Sequence, residues 1–157
     1  MAEEVVEILL VEDNPNDVEL ALRALRKHHL ANRIHVARDG EEALDFMFCR
    51  GSYSGRSFHQ FPKLILLDLK IPKVDGMEVL RQLKGDVRTR AIPVTILTAS
   101  REETDMIRGY TLGVNSYIQK PVDFDQFCGA VTQLGMYWLL LNQLPADLME
   151  PVSTARK

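Results

Sequence analysis

Residues 64–76 read Leu-Ile-Leu-Leu-Asp-Leu-Lys-Ile-Pro-Lys-Val-Asp-Gly, a pattern that indicates the class of fold. Its first four residues are apolar with no polar residue between them, which is typical of a strand that a parallel sheet buries on both faces. The apolar run stops at Asp68. Because open α/β sheets bind ligands at the carboxyl ends of their strands, the sequence predicts that Asp68 lies at a binding edge.

Three other predicted strands are also followed by polar groups. Residues 8–11 are followed by Glu12-Asp13, residues 94–97 by Thr98, and residues 117–119 by Lys120-Pro121. The carboxyl ends of parallel strands meet at one edge of a sheet, so this edge would receive three acids, a hydroxyl and an ammonium group. The sequence therefore predicts one polar site built from four strand ends.

Strand patterns alternate with helix patterns along the chain. Helices are predicted from Asn14 to about residue 29 and over residues 40–48, 75–84, 102–112 and 123–141. Five strand-then-helix units predict an α/β fold, with a doubly wound, five-stranded parallel sheet and helices on both faces. Residues 51–61 are a polar insertion rich in glycine and serine. We expect one domain over residues 1–144 and a loose tail over 145–157.

Composition argues against several classes of function. The 157 residues are 46% hydrophobic and 26% charged, as in an ordinary globular domain. A formal net charge of -3 gives no broad basic surface, which argues against nucleic acid as a partner. No apolar stretch reaches the ~20 residues of a membrane span, and the acidic N-terminus is unlike a signal peptide. Cys49 and Cys128 are expected to be small core residues in a reducing compartment, so we expect a cytoplasmic protein.

Each strand-end group has a structural explanation when it is taken alone. Glu12-Asp13 would favour a helix start, and Asp68 would form a turn. Together these explanations are poor, because crowded carboxylates repel one another unless a cation lies among them. Three carboxylates suit Mg²⁺, and a metal would keep Asp68 ionised and able to act as a nucleophile. Lys120 and Thr98 suit the oxygens of a transferring phosphoryl group.

This ordered set of residues resembles the response-regulator receiver domains of two-component signalling. Glu12-Asp13, Asp68 with Gly76 after it, Thr98, and Lys120-Pro121 match the family's marks in order and spacing, within residues 5–142. The resemblance implies a flavodoxin-like strand order of 2-1-3-4-5. It also implies a phosphorelay in which a sensor histidine kinase donates a phosphoryl group. The insertion and the ending Tyr-Trp-Leu-Leu-Leu-Asn at 137–142 further resemble single-domain receivers that partner phytochrome-type histidine kinases, the bacteriophytochromes among them.

The resemblance also implies roles for the acids. Asp68 would be the phosphoacceptor. Mg²⁺ or Mn²⁺ would bind Asp13, Asp68 and the backbone carbonyl of Lys70, and Glu12 would act through a metal-bound water. Lys70 stands where the family often carries methionine or another uncharged residue, so the lifetime of the phosphorylated form is left open.

The resemblance implies further roles at the other two strand ends. Thr98 would bind a phosphoryl oxygen, Lys120 would pair with the same group, and Pro121 would follow a cis peptide bond. Movement of Thr98 toward the phosphoryl group would leave space for Tyr117 to turn inward, which makes the two residues a two-state switch. Without the resemblance, Tyr117 would be an ordinary residue of an amphipathic strand.

The last predicted helix carries more apolar surface than a core requires. Tyr137, Trp138 and Leu140 lie where its apolar surface extends nearly all round, and such a helix is normally buried. We expect a homodimer through this surface, with a folded-back C-terminal tail as the alternative. No output domain is expected after the receiver, so the signal would leave through surface contacts or pass to a histidine phosphotransfer protein.

Two other functions are weighed against a phosphoacceptor switch. An aspartyl-phosphate hydrolase usually carries a second Asp two residues after the nucleophile, where this chain has Lys70. An unphosphorylated interaction module with a receiver fold would have no need of the complete acid set and Lys120. We therefore expect a switch and not an enzyme, one that promotes only its own phosphorylation and dephosphorylation.

Overall fold

A computed structural model describes residues 8–27, 33–57, 60–98, 111–119 and 125 of the protein. Strands and helices alternate in the order β1 (Ile8–Val11), α1 (Pro15–Lys27), β2 (Ile34–Ala37), α2 (Gly40–Met47), β3 (Leu64–Asp68), α3 (Gly76–Gly85), β4 (Val94–Thr98) and β5 (Ser116–Gln119). A short 3₁₀ helix, Gly51–Tyr53, follows α2. In this described part of the chain, no helix has the length and apolar composition that crossing a membrane requires.

The five strands form one parallel sheet in the order β2-β1-β3-β4-β5. Val11 pairs with both Ala37 and Leu67, and Asp68 pairs with Leu97. The first four strands therefore end at nearly the same level, and the residues after them reach one edge of the sheet. The predicted fold class and strand order are confirmed.

Different helices cover the two faces of the sheet. Leu9 and Val11 of β1 belong to a core cluster shared with α2 and α3, whereas Ile8 and Leu10 belong to a second cluster shared with α1. Successive residues of a strand point to opposite faces, so one continuous apolar strand supplies both clusters. Burial of each Leu or Ile side chain contributes about 1.5–3 kcal/mol. Helices therefore lie on both faces, as predicted.

Each of the three helices begins after a residue whose side-chain oxygen accepts hydrogen bonds from the first turn. Asn14, Asp39 and Asp75 accept from backbone N–H groups two or three residues later, at distances between 2.7 and 3.1 Å. These N–H groups have no partner within the helix, and such a cap contributes about 1 kcal/mol. The caps also fix the turns that follow β1, β2 and β3 at the polar edge of the sheet.

The polar insertion packs against β2, at the edge of the sheet. The Arg56 guanidinium lies 3.6 Å from the centre of the Phe46 ring and donates to the Phe46 carbonyl at 2.6 Å. The Phe46 ring stacks on His35 with 4.3 Å between centres. The Tyr53 hydroxyl donates to Glu42 at 2.6 Å and lies 3.0 Å from Nε2 of His35. The insertion is thus joined to β2 and α2 by specific contacts.

Cys49 is not the core residue that the sequence predicted. It follows α2 with a φ of 55°, in the left-handed region, and it is only half-buried. Its position in the turn between α2 and the insertion, and not its apolar character, determines its environment. Cys128 lies outside the described residues.

His35 should make the fold less stable in weak acid. Burial is the largest influence on the pKa of His35 and lowers it below the usual 6.5; Glu42 opposes this shift and Arg56 adds to it. The unfolded chain then binds a proton more readily than the folded chain, so stability that is present above pH 6.5 is lost as the pH falls below it. The free energy of unfolding, measured in urea, should fall more between about pH 7.5 and 5.5 for the wild type than for His35→Gln. Equal losses in the two proteins would contradict this prediction.

Candidate functional site

Three carboxylates meet where β1 and β3 end. One carboxylate oxygen from each of Glu12, Asp13 and Asp68 lies within 4.8 Å of the others. The register causes this convergence, because Val11 pairs with Leu67 and the next residues of the two strands, Glu12 and Asp68, become neighbours. The structure therefore brings together the three acids that the sequence predicted for one edge.

The acids differ in exposure. Glu12 is 1% exposed and Asp68 is 6% exposed, whereas Asp13 is open to solvent. A buried carboxylate needs hydrogen bonds or a positive partner. Oε2 of Glu12 accepts from the N–H of Asn14 at 3.1 Å, and Oδ1 of Asp68 accepts from the N–H of Lys70 at 3.2 Å. Backbone donors thus fix the two buried acids, and Asp13 lies at the mouth of the site.

Crowding of like charges gives the site its binding preference. Two unit charges at about 4 Å repel by about 4 kcal/mol when the effective dielectric constant is about 20. Three carboxylates with oxygens within 4.8 Å therefore favour a cation among them. A set of oxygen ligands suits a hard divalent ion such as Mg²⁺ or Mn²⁺. The residues present fit the divalent metal site that the sequence predicted.

The segment after Asp68 turns back sharply to begin α3. The N–H of Gly76 donates to the carbonyl of Leu69 at 2.9 Å. A Cβ atom on Gly76 would lie 2.5 Å from the carbonyl oxygen of Asp68 and 2.5 Å from Cα of Leu69, so glycine is required by this close approach. Leu69 and Ile71 are buried and anchor the segment, while Lys70 between them is exposed. The sequence marked Gly76 as a helix start, and the structure adds this steric reason.

The two predicted switch residues lie on neighbouring strands. Thr98 is the last residue of β4, one residue beyond Leu97, which pairs with Asp68. Tyr117 of β5 pairs with Ile96 and packs, half-buried, against the cluster shared with α2 and α3. The backbone therefore places both residues near the polar edge, and their switching role stays a prediction.

Several predicted residues lie outside the part of the chain that the structure describes. They are Lys120, Pro121, Tyr137, Trp138 and Leu140. The side chain of Thr98, the final predicted helix and the tail at 145–157 lie outside it as well. The assignments of these residues and the predicted limits of the domain stay predictions.

Comparison with known proteins gives the family. Residues 8–132 match the family model of the response regulator receiver domain. The chain belongs to this family. The matched range begins at β1 and extends beyond β5, so it includes all three acids and the strands that position them.

Two relatives match this receiver domain over nearly their whole length. The probable methanogenesis regulatory protein FilR2 of Methanothrix harundinacea is 44% identical over 144 residues, which cover 92% of this chain and 90% of FilR2. The response regulator Rcp1 of Synechocystis sp. is 37% identical over 139 residues, which cover 88% of this chain and 92% of Rcp1. The likeness therefore extends well beyond the acidic motif.

Several solved structures of phytochrome response regulators are similar to this protein over most of its length. The bacteriophytochrome response regulator AtBRR is 55% identical with a TM-score of 0.79, over 90% of this chain and 100% of AtBRR. The phosphorylated cyanobacterial phytochrome response regulator RcpA is 38% identical with a TM-score of 0.72, over 90% and 99% of the two chains. The Mn²⁺-bound form of Rcp1 is 36% identical with a TM-score of 0.71, over 89% and 99%. This receiver domain is thus closely related to the single-domain regulators of phytochrome two-component systems, as predicted.

A divalent cation should stabilise the fold through Asp13. A ligand that binds only the folded chain raises the unfolding temperature, by about 2–4 °C per kcal/mol in a protein of this size. We expect millimolar Mg²⁺ to raise the midpoint temperature of thermal unfolding for the wild type. The rise should be much smaller for Asp13→Asn. Asp17→Asn removes a nearby acid outside the cluster and should respond like the wild type. Equal responses of the two variants would contradict the assignment of Asp13 as a ligand.

Proposed function

We propose that this protein is a phosphorylation-controlled switch of a two-component phosphorelay, and that a histidine kinase transfers a phosphoryl group to Asp68. The observation that carries the proposal is the convergence of Glu12, Asp13 and Asp68 within 4.8 Å. Membership of the receiver family supports the same function. Two of these acids are buried and the third, Asp13, is exposed to solvent.

Asp68 is the nucleophile of this reaction. A carboxylate oxygen attacks the phosphorus atom of the kinase's phosphohistidine, the phosphorus–nitrogen bond breaks, and the ring nitrogen keeps that electron pair. The products are an aspartyl phosphate and an unmodified histidine. The N–H of Lys70 holds Oδ1 of Asp68 at 3.2 Å, which restricts rotation of the carboxylate and orients it toward the donor.

The acids of the site would hold the metal that the reaction requires. Asp13, Asp68 and the backbone carbonyl of Lys70 would bind Mg²⁺ or Mn²⁺, and Glu12 would act through a water molecule. The bound ion would neutralise charge on the transferring phosphoryl oxygens, and Lys120 would add a second positive charge there. The Mn²⁺-bound form of the relative Rcp1 supports a divalent ion in this role.

Thr98 and Tyr117 read the modification. Thr98 ends β4 one residue beyond the level of Asp68, which supports a role for its hydroxyl in binding a phosphoryl oxygen once the aspartate is modified. Tyr117 then turns into the space that Thr98 leaves. A new charge at one residue thereby biases a two-state element, and the surface near β4 and β5 presents the result to a partner.

The phosphoryl donor is a phytochrome-type histidine kinase. The 55% identity to a bacteriophytochrome response regulator supports this partner. In this proposal the protein acts in the cytoplasm. It is a switch without substrate turnover, because Lys70 stands where a hydrolase would carry its second acid. The signal leaves through surface contacts or through a histidine phosphotransfer protein.

Incubation with Mg²⁺ and a small acyl phosphate should add one phosphoryl group to the wild type. Intact-mass spectrometry should show no gain for Asp68→Asn, because an amide is a poor nucleophile at this position. Asp125→Asn removes an exposed acid that is not in the cluster and should gain mass like the wild type. A purified phytochrome-type kinase should give the same pattern at a higher rate.

Two other results of this experiment would each indicate a different function. Release of inorganic phosphate over many turnovers would indicate an aspartyl-phosphate hydrolase. No gain of mass from either the small donor or the kinase would indicate an unphosphorylated interaction module, and would contradict the proposed switch.

We also propose that the protein forms a homodimer through the last predicted helix, with Tyr137, Trp138 and Leu140 at the contact. Light scattering at high concentration should give the mass of a dimer for the wild type and of a monomer for Tyr137→Ser combined with Leu140→Ser. Val87→Ser changes an exposed apolar residue that is not part of this helix, and it should leave the dimer intact. A monomeric wild type in both phosphorylation states would contradict the proposed contact.

A further inference from the structure

The first turn of α2 touches the segment that follows Asp68. The N–H of Gly40 donates to the carbonyl of Pro72 at 3.1 Å. This N–H belongs to the start of a helix, where backbone donors need partners outside the helix. The two loops, one after β2 and one after β3, are therefore joined directly by their backbones.

Glycine is required at position 40 by the closeness of this contact. A Cβ atom there would lie 1.8 Å from the carbonyl oxygen of Val74 and 2.8 Å from its Cβ. The first of these atoms is backbone, so a side chain at position 40 must displace the segment itself.

Two ionic contacts of Lys73 also join the start of α2 to residues 72–74, a contact region that we call the junction. Nζ of Lys73 lies 3.4 Å from Oε1 of Glu41 and 3.7 Å from Oδ2 of Asp39. Lys73 has a φ of 71°, a conformation that side chains rarely adopt without support from the surroundings. The lysine is exposed, so its ion pairs contribute little by themselves. The backbone contact of Gly40 is the stronger of the two connections.

The segment is fixed at its other end by Asp68 itself. The N–H of Lys70 donates to Oδ1 of Asp68, and the N–H of Gly76 donates to the carbonyl of Leu69. Residues 69–76 are thus held by β3, by the start of α3 and, through Gly40, by α2. Removal of the third support would let the backbone at Lys70 move relative to the carboxylate of Asp68.

We propose that Gly40 is a positioning residue for phosphoryl transfer, because it seats α2 against residues 72–74 and so holds Lys70 and Asp68 in the geometry that the metal and the phosphoryl group need. This inference rests on the proposed function of Asp68. Gly40 contacts neither the metal nor the phosphoryl group, and it acts through the backbone of the segment.

The Gly40→Ala variant tests this role at a temperature where the protein is folded. Loss of a group that orients metal ligands typically costs about 10- to 100-fold in affinity or activity. We expect a loss of this size in Mn²⁺ affinity, measured by electron paramagnetic resonance, and in the rate of phosphorylation by an acyl phosphate. Gly85→Ala is the matched control, because Gly85 also lies in a helix and a Cβ there meets nothing within 4 Å.

A second control separates positioning from general stability. Leu25 is fully buried on the α1 face of the sheet, away from the junction. Leu25→Ala should lower the unfolding temperature and leave Mn²⁺ affinity unchanged, because it does not touch residues 69–76. Gly40→Ala with the Mn²⁺ affinity and phosphorylation rate of the wild type would overturn the inference.

If Gly40→Ala does not fold, hydrogen exchange in the wild type measures the same coupling between Gly40 and the metal site. Coupling between two sites is reciprocal, so if Gly40 orders the metal ligands, the metal must order Gly40. Saturating Mg²⁺ should slow exchange of the Gly40 amide more than that of the Thr89 amide, which donates to the carbonyl of Asp86 beyond the far end of α3. Unchanged Gly40 exchange with Mg²⁺ bound would overturn the role of Gly40. Phosphorylation of Asp68→Asn would contradict the proposed function itself.

Discussion

Glu12, Asp13 and Asp68 place three carboxylate oxygens within 4.8 Å of one another, where two wholly buried strands reach the edge of the sheet. At this spacing the ionised groups repel strongly. The N–H groups of Asn14 and Lys70 offset part of that repulsion and fix the directions of the buried acids. A divalent cation would offset the rest, which ties the proposed chemistry to the way in which β1 and β3 end.

The parallel register converts this local chemistry into a property of the whole fold. Pairing of Val11 with Leu67 makes Glu12 and Asp68 neighbours, and the apolar side chains of both strands hold that register from the two faces of the sheet. A slip of one residue would exchange the side chains between the two faces of the sheet, disrupt their packing and separate the acids. The stability of the core therefore also maintains the geometry of the metal site.

The sequence predicted the fold and the acid cluster because both depend on simple patterns. Continuous apolar runs indicate buried parallel strands, and the polar residue at the end of each run indicates the binding edge. The contact between Gly40 and Val74 could not be predicted, because the two residues are far apart in the sequence and no periodic pattern links them. The stacking of Arg56 on Phe46 was not predicted either, because no periodic pattern links these two residues. Cys49 was wrongly assigned to the core, because an apolar residue in a turn need not be buried.

The proposed role of the acids at the ends of β1 and β3 is to hold one divalent cation beside Asp68. Anomalous diffraction from crystals grown with Mn²⁺ would locate this ion. We expect one strong peak bonded to carboxylate oxygens of Asp13 and Asp68 and to the backbone carbonyl of Lys70, and its loss in crystals of Asp13→Asn. A bound Mn²⁺ elsewhere with no peak at the acids, or an undiminished peak in Asp13→Asn, would contradict this metal site.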